Sequence, residues 1–311
     1  MTKVATRDAY GEKLVELGSR FKDIVVLDAD LAKSTKTIQF KNEFPERFFD
    51  MGVAEQNLIG TAAGLSLTGK IPFASTFAVF AMGRTYDQLR NTVCYSNLNV
   101  RVVSSHAGLT VGEDGGSHQA LEDIALARVL PNMAVVVPAD AVETQAVLEY
   151  SIQHQGPMYI RLGRPKVPIV SQDNYSFELG KGTILREGNE ATIIAAGITV
   201  AMALEAAELL AEKGLEVTVV NMASIKPLDS RLVIECAKKT GAVVTAEEHS
   251  IIGGLGSAIA EVLVEHHPVP MERVGVQDTF GESGSPGELL EKYGISPQKI
   301  VAAVEKTVAR K

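Results

Sequence analysis

The chain has 311 residues, 30 basic and 38 acidic, with a net charge of −8; 46 % of it is hydrophobic and 22 % charged. These proportions exclude a disordered, collagenous or coiled-coil chain, and the negative field argues against nucleic acid and anionic membranes as partners. Length predicts two domains. Cys94 and Cys236 lie far apart in apolar, helix-like surroundings and read as buried free thiols of a reducing compartment. The start MTKVATRDAY has no apolar core of signal-peptide length. No apolar run approaches the roughly 20 residues of a membrane helix. The expected location is the cytoplasm.

In chain order, Asp8–Arg20 reads as a helix and Ile24–Leu27 as a strand. Glu55–Leu67 and Tyr86–Ser96 read as helices, Val100–Ser104 as a strand and Leu121–Leu130 as a helix. Ala134–Val137 is a strand, Asp140 an N-cap, Val142–Gln153 a helix and Met158–Leu162 a strand. Short β-branched runs between longer amphipathic stretches predict parallel strands buried on both faces. The pattern relaxes over Gly163–Gly188, where Pro165 and Pro168 disfavour helix and central strand. We therefore expect a domain over 1–170, a linker over 171–188 and a second domain over 189–311. The second series runs through strand Thr192–Ala196, helix Ala201–Lys213, strand Val217–Met222, helix Ser230–Lys239 and strand Ala242–Ala246. Helix Leu255–Glu265, strand Glu272–Val276 and helix Gly287–Tyr293 follow. Helix Pro297–Val308 closes the chain, with Ser296 as its cap. The fold class is α/β, with two parallel-sheet domains, where ligands bind beyond the carboxyl ends of strands.

Four constellations could carry chemistry. Glu55 opens a nearly apolar helix; it is either a first-turn acid favoured by the helix dipole or a carboxylate in an apolar pocket with a raised pKa. Phe77 and Phe80 share a face if their segment is helical, as plain core or as a shelf for a flat heterocycle. The run Ser105–Gln119 holds four glycines, His106, His118, Glu113 and Asp114 in one loop. No His or Cys pair in it has zinc spacing, so no metal site is expected there. Proton transfer and hydrogen bonding to a polyhydroxylated or carbonyl substrate fit better than a structural loop. Arg161 and Arg164 end a strand, as partners for phosphate or carboxylate or as surface arginines. Weaker signals are Gly253-Gly254-Leu255-Gly256-Ser257 before a helix, and Glu247-Glu248-His249, read as a polar edge or subunit contact.

These residues resemble the thiamine diphosphate enzymes of the transketolase family. HAGLTVGEDGGSHQALED is similar to the substrate loop of transketolases, GVAEQN to the segment with the catalytic glutamate and TFAVF to the aromatic cofactor pocket. IKPLD and EEHSIIGGLGS resemble the C-terminal domain. The resemblance covers the whole chain, equivalent to about the last two-thirds of a fused transketolase by domain arithmetic. It implies a pyrimidine-binding domain followed by a transketolase C-terminal domain. It also implies that Glu55 protonates the aminopyrimidine and that Phe77 and Phe80 hold it. His106, Asp114 and His118 would contact the sugar, and Arg164 its phosphate. Arg7 would stand at the substrate entrance, and Asp28, which lies where many members carry a serine, would touch substrate as well. Gly116-Ser117 replaces the commoner Pro-Thr, and Ala107 a frequent acid.

The family holds the diphosphate through Mg2+ with a Gly-Asp-Gly motif from a separate N-terminal domain, and this chain contains no such motif. The resemblance therefore implies a split enzyme or a fragment. The favoured reading is the C-terminal subunit of a split transketolase, active with an N-terminal partner that carries the diphosphate and Mg2+ site, and self-associating as well. It would transfer a two-carbon ketol unit between sugar phosphates. A β subunit of a 2-oxoacid dehydrogenase and a non-catalytic binding partner are the alternatives.

Overall fold

The computed structural model describes residues 2–172 and 174–311; Asp173, in the expected linker, lies outside them. The strands are β1 (Lys3–Ala5), β2 (Ile24–Asp28), β3 (Phe48–Asp50), β4 (Ile71–Phe77), β5 (Arg101–Ser105), β6 (Ala134–Val136) and β7 (Met158–Arg161). They continue with β8 (Lys166–Pro168), β9 (Thr183–Arg186), β10 (Ala191–Ala195), β11 (Val217–Asn221), β12 (Ser224–Lys226), β13 (Val243–Ser250) and β14 (Met271–Val276). The first sheet has the order β12-β6-β7-β5-β4-β2-β3 and the second β14-β13-β10-β11-β9, while β1 and β8 pair by themselves. Both large sheets are parallel except at one edge: β12 runs antiparallel to β6, and β9 to β11.

The apolar runs place strands where both faces are covered. Helices Thr6–Arg20 and Ala141–Ser151 lay Leu14, Leu17, Val147 and Leu148 on one face of the first sheet, against Ile24, Val26 and Phe73. Helix Glu55–Leu67 lays Leu58, Ile59 and Ala62 on the other, against Val25, Leu27 and Ala74. In the second domain, helices Thr199–Ala211 and Pro297–Val308 cover Ile193, Val219 and Val244 with Val200, Leu210, Ile300 and Val304. Cys94 and Cys236 are buried and unpaired. Among the described residues no helix is long and apolar enough to cross a membrane.

Several expectations are corrected. The segment 171–188 is not a plain linker, because β9 lies within it as the edge of the second sheet. Tyr175 and buried Phe177 also pack into the fold. The domain boundary is crossed again by β12, which leaves the second domain to pair with β6. Central strand β4 was not legible. Pro72 stands in it, but Ile71 N donates to Asp23 O on the β2 side, so the next nitrogen, that of Pro72, faces β5, where the ladder begins only at Phe73 and no ladder bond is lost. Residues Gln88–Cys94 form a wide π-type helix. Ser296 occupies the cap position without a side-chain cap bond. Asp140 does cap its helix: Oδ1 accepts from Glu143 N at 2.9 Å, and Oδ2 accepts from the amides of Val170 and Ser171 at 2.7 Å each.

Candidate active site

The carboxyl ends of β2, β3, β4, β5 and β7 lie along one edge of the first sheet. Most of the expected residues follow those strands directly, as strand direction in a doubly wound sheet requires. Glu55 begins its helix five residues after β3 and is 5 % exposed. Its Oε1 accepts from Arg84 Nη1 at 2.9 Å; among the described residues its other oxygen has no hydrogen-bond partner. The carboxylate is thus buried, but the apolar pocket expected for it contains a cation.

Phe77 is the last residue of β4 and Phe80 sits in the short helix Ala78–Gly83. Their rings stack with centroids 5.9 Å apart, 14° from parallel. Phe77 is buried and stacks on His106 at 3.9 Å. Phe80 is partly exposed, meets His118 edge-on at 5.4 Å and carries the Arg84 guanidinium over its ring, 4.1 Å from the centroid. Arg84 was missed from sequence. Its signal was the spacing of four from Phe80, which puts both side chains on one helical face.

His106 follows β5 with φ +56 and is buried. Arg7 Nη1 lies 3.1 Å from its Nε2, and Ser105 Oγ lies 2.8 Å from its Nδ1. Arginine only donates, so Nε2 is the acceptor and the ring proton resides on Nδ1, donated to Ser105. Burial, with Arg7, Arg164, His118 and Lys36 nearby, pushes the imidazole down to about 3. The ring is neutral in ordinary buffers.

Arg7 also donates to Ser34 O at 3.1 Å. Arg164 donates to Val111 O and to Glu113 Oε2, and lies 3.8 Å from Asp114 Oδ2. Asp114 is exposed and His118 partly so, with Ser117 Oγ 3.0 Å from His118 Nδ1. Arg7, His106, Asp114, His118 and Arg164 thus gather at one mouth. Asp28 does not join them. It is fully buried, and its carboxylate accepts from Leu31 N at 2.6 Å, Thr35 Oγ1 at 2.7 Å and Thr37 Oγ1 at 2.8 Å. Expected to touch substrate, it instead organises the 28–37 loop that bears Ser34 and Lys36. Arg161 is likewise internal, paired with buried Asp123 at 2.7 Å. A groove of about 520 Å3 lies elsewhere, at the domain junction between Pro168, Val170, Ile198 and Met202, and contains neither Glu55 nor Phe80.

An acid, an aromatic face and a cationic mouth thus stand together at the strand ends of a parallel sheet. Residues 2–170 match the transketolase pyrimidine-binding domain and residues 180–300 the transketolase C-terminal domain. The chain belongs to the transketolase family. It is similar to a split-gene transketolase solved as an inactive β4 tetramer, with 59 % identity, TM-score 0.94 and 99 % of each chain covered. It is 46 % identical to the 6-deoxy-6-sulfo-D-fructose transketolase subunit of a Clostridium species, over 98 % of this chain and 95 % of that one. It is 38 % identical to Rattus norvegicus transketolase, over 99 % of this chain and 50 % of that one. The share of a fused enzyme is therefore half, not the two-thirds that domain arithmetic gave.

Proposed function

We propose that this chain is one subunit of a two-chain, thiamine diphosphate-dependent transketolase that moves a two-carbon ketol unit between anionic sugars. The observation that carries this reading is Glu55, a buried carboxylate with one uncommitted oxygen beside the partly open ring of Phe80.

The residues present fit the cofactor's aminopyrimidine. Phe80 offers a stacking face, backed by Phe77. Glu55 can share a proton with a ring nitrogen at its carboxylate oxygens. Arg84 now covers both positions, and its planar N–C–N edge imitates that of the ring, so entry requires the guanidinium to yield Glu55 and the face of Phe80. When bound, the cofactor supplies the carbon nucleophile that takes up the ketol unit. Neutral His106 offers a hydrogen bond at Nε2 once Arg7 shifts, and Asp114 and His118 reach the sugar's hydroxyls. Arg7 and Arg164 attract its anionic end, a phosphate or, as in the clostridial relative's substrate, a sulfonate.

Among the described residues no group of three His, Cys, Asp or Glu could hold a metal ion. The Mg2+ and diphosphate are assigned to an N-terminal partner subunit, a reading supported by the inactivity of the related β4 tetramer. Self-association without the partner then gives an inactive assembly. The experiment is reconstitution. The chain is purified alone and together with a partner bearing Gly-Asp-Gly, then assayed with thiamine diphosphate, Mg2+, a ketose phosphate and an aldose phosphate. Turnover only in the mixture is expected. Full turnover by the chain alone, or pyruvate oxidation in place of ketol transfer, defeats the proposal.

A further inference from the structure

The triplet Glu247-Glu248-His249 lies near the carboxyl end of β13, and its members have three different tasks. Glu247 accepts from Leu255 N at 2.7 Å and Gly256 N at 2.8 Å, closing the start of helix Leu255–His266. His249 Nδ1 lies 2.7 Å from Ser250 O, and its Nε2 accepts from Ala125 N at 3.3 Å. Glu248 reaches out of its own domain. Its Oε1 accepts from Thr110 N at 2.6 Å, and its main-chain oxygen accepts from Arg161 Nη2 at 2.9 Å.

We propose that Glu248 is a positioning residue for the substrate-binding loop, fixing the backbone of Gly108–Thr110 and so the places of His106, Asp114 and His118. The assignment rests on the functional reading above. The fit between carboxylate and loop is close. Gly108 has φ +78, and a Cβ there would stand 2.3 Å from Glu248 Cδ, so the loop lies flat on the carboxylate only because this residue is glycine. Gly108 N donates to Ala120 O at 3.0 Å, which ties the base of the loop. The second domain backs the far side as well. Gln119 Nε2 donates to Glu282 O at 2.9 Å and to Leu109 O at 3.1 Å, while Gly115 and Gly116 abut Ser283 and Gly281.

Stability alone does not explain Glu248. It is 4 % exposed, and the nearest cation, Arg161, is already paired with Asp123. An apolar residue of similar volume would avoid the desolvation of an unshared carboxylate. What the carboxyl adds is one short hydrogen bond to a loop amide.

Two measurements test this: hydrogen exchange of the segment Leu109–Val111 in the purified chain, and donor kinetics of the reconstituted complex. Glu248→Ala and Glu248→Asp, the latter keeping the carboxyl but withdrawing it by one methylene, should speed exchange there about tenfold. Exchange in β4 and β10 should not change. The same variants should raise KM for the ketose about tenfold while kcat falls less than about threefold. Glu248→Gln, whose amide oxygen still accepts from Thr110, should stay within about twofold of the parent in both. Unchanged exchange at 109–111, exchange raised equally throughout both sheets, or a loosened loop with unchanged KM would each overturn the proposal. If Glu248→Ala does not fold, the Asp and Gln variants decide. If the parent complex shows no ketol transfer, the functional reading fails, while the exchange measurement still tells whether Glu248 holds the loop.

Discussion

At the carboxyl edge of the first sheet, Phe80, Arg84, Asp114, His118 and Arg164 are at least partly open to solvent around buried Glu55 and His106. At the same edge of the second sheet, Asn221, Glu247, Glu248 and His249 are all buried, and most of their polar atoms are matched to backbone groups or side chains. Asn221 donates to both oxygens of Glu143, across the domain boundary. Two sheets of one architecture therefore use the same edge differently. In the first it stays open to solvent, the face proposed for ligand; in the second it is turned onto the first domain and becomes a support. Fold alone does not say which edge binds. The balance of open and satisfied polar groups does.

Substitutions should divide along that line: the inward edge governs stability and loop order, the open edge governs chemistry. The largest expected effect is Asp123→Ala, which leaves Arg161 charged and buried and Tyr159 without its 2.6 Å acceptor. A loss of about 3–5 kcal/mol in urea unfolding is expected; a loss below about 1 kcal/mol would show that Arg161 finds another partner in the same cluster. Next, Glu55→Gln should reduce turnover of the reconstituted complex by about a hundredfold or more, with the melting temperature almost unchanged. Comparable activity would remove Glu55 from the proton path. A smaller effect is expected from Arg84→Ala. Freed of the guanidinium on Phe80 and Glu55, the isolated chain should bind a free aminopyrimidine about fivefold more tightly by calorimetry. Weaker binding would mean that Arg84 grips the ring rather than holding its place.

The subtlest contrast is in pH. Burial raises the Glu248 carboxyl from its ordinary 4.5 to about 7. Its contribution to stability is therefore complete below pH 4.5 and lost as pH rises through about 7. His106 is shifted from 6.5 down to about 3, so its contribution is complete above pH 6.5 and lost on acidification towards 3. Melting curves should show Glu248→Gln gaining on the parent between pH 4.5 and 7. His106→Asn should gain on it as pH falls from 6.5. Parallel slopes in parent and variants would contradict both assignments.

Local pattern was enough for the alternation of strands and helices, because a strand covered on both faces must be apolar along its whole length. It was enough for the Asp140 cap and for the clustering of Glu55, Phe80, His106 and Asp114 after strands, since chain direction in a parallel sheet sends those residues to one edge. It failed at β4, where Pro72 conceals a central strand, and at the edge strands β9 and β12, which are too short to show a period.

The sequence by itself determined the family, the two α/β domains and the chemical groups available. Only the tertiary structure decided which groups face outward. Asp28 and Arg161 resemble site residues in a linear reading, but folding commits them to buried partners. Arg84 and Glu248 are inconspicuous in the sequence, yet one covers the acid and the other holds the loop. The physical reason is that a polar side chain's role depends on whether its hydrogen bonds are already satisfied, and most of the partners that satisfy them lie far away along the chain.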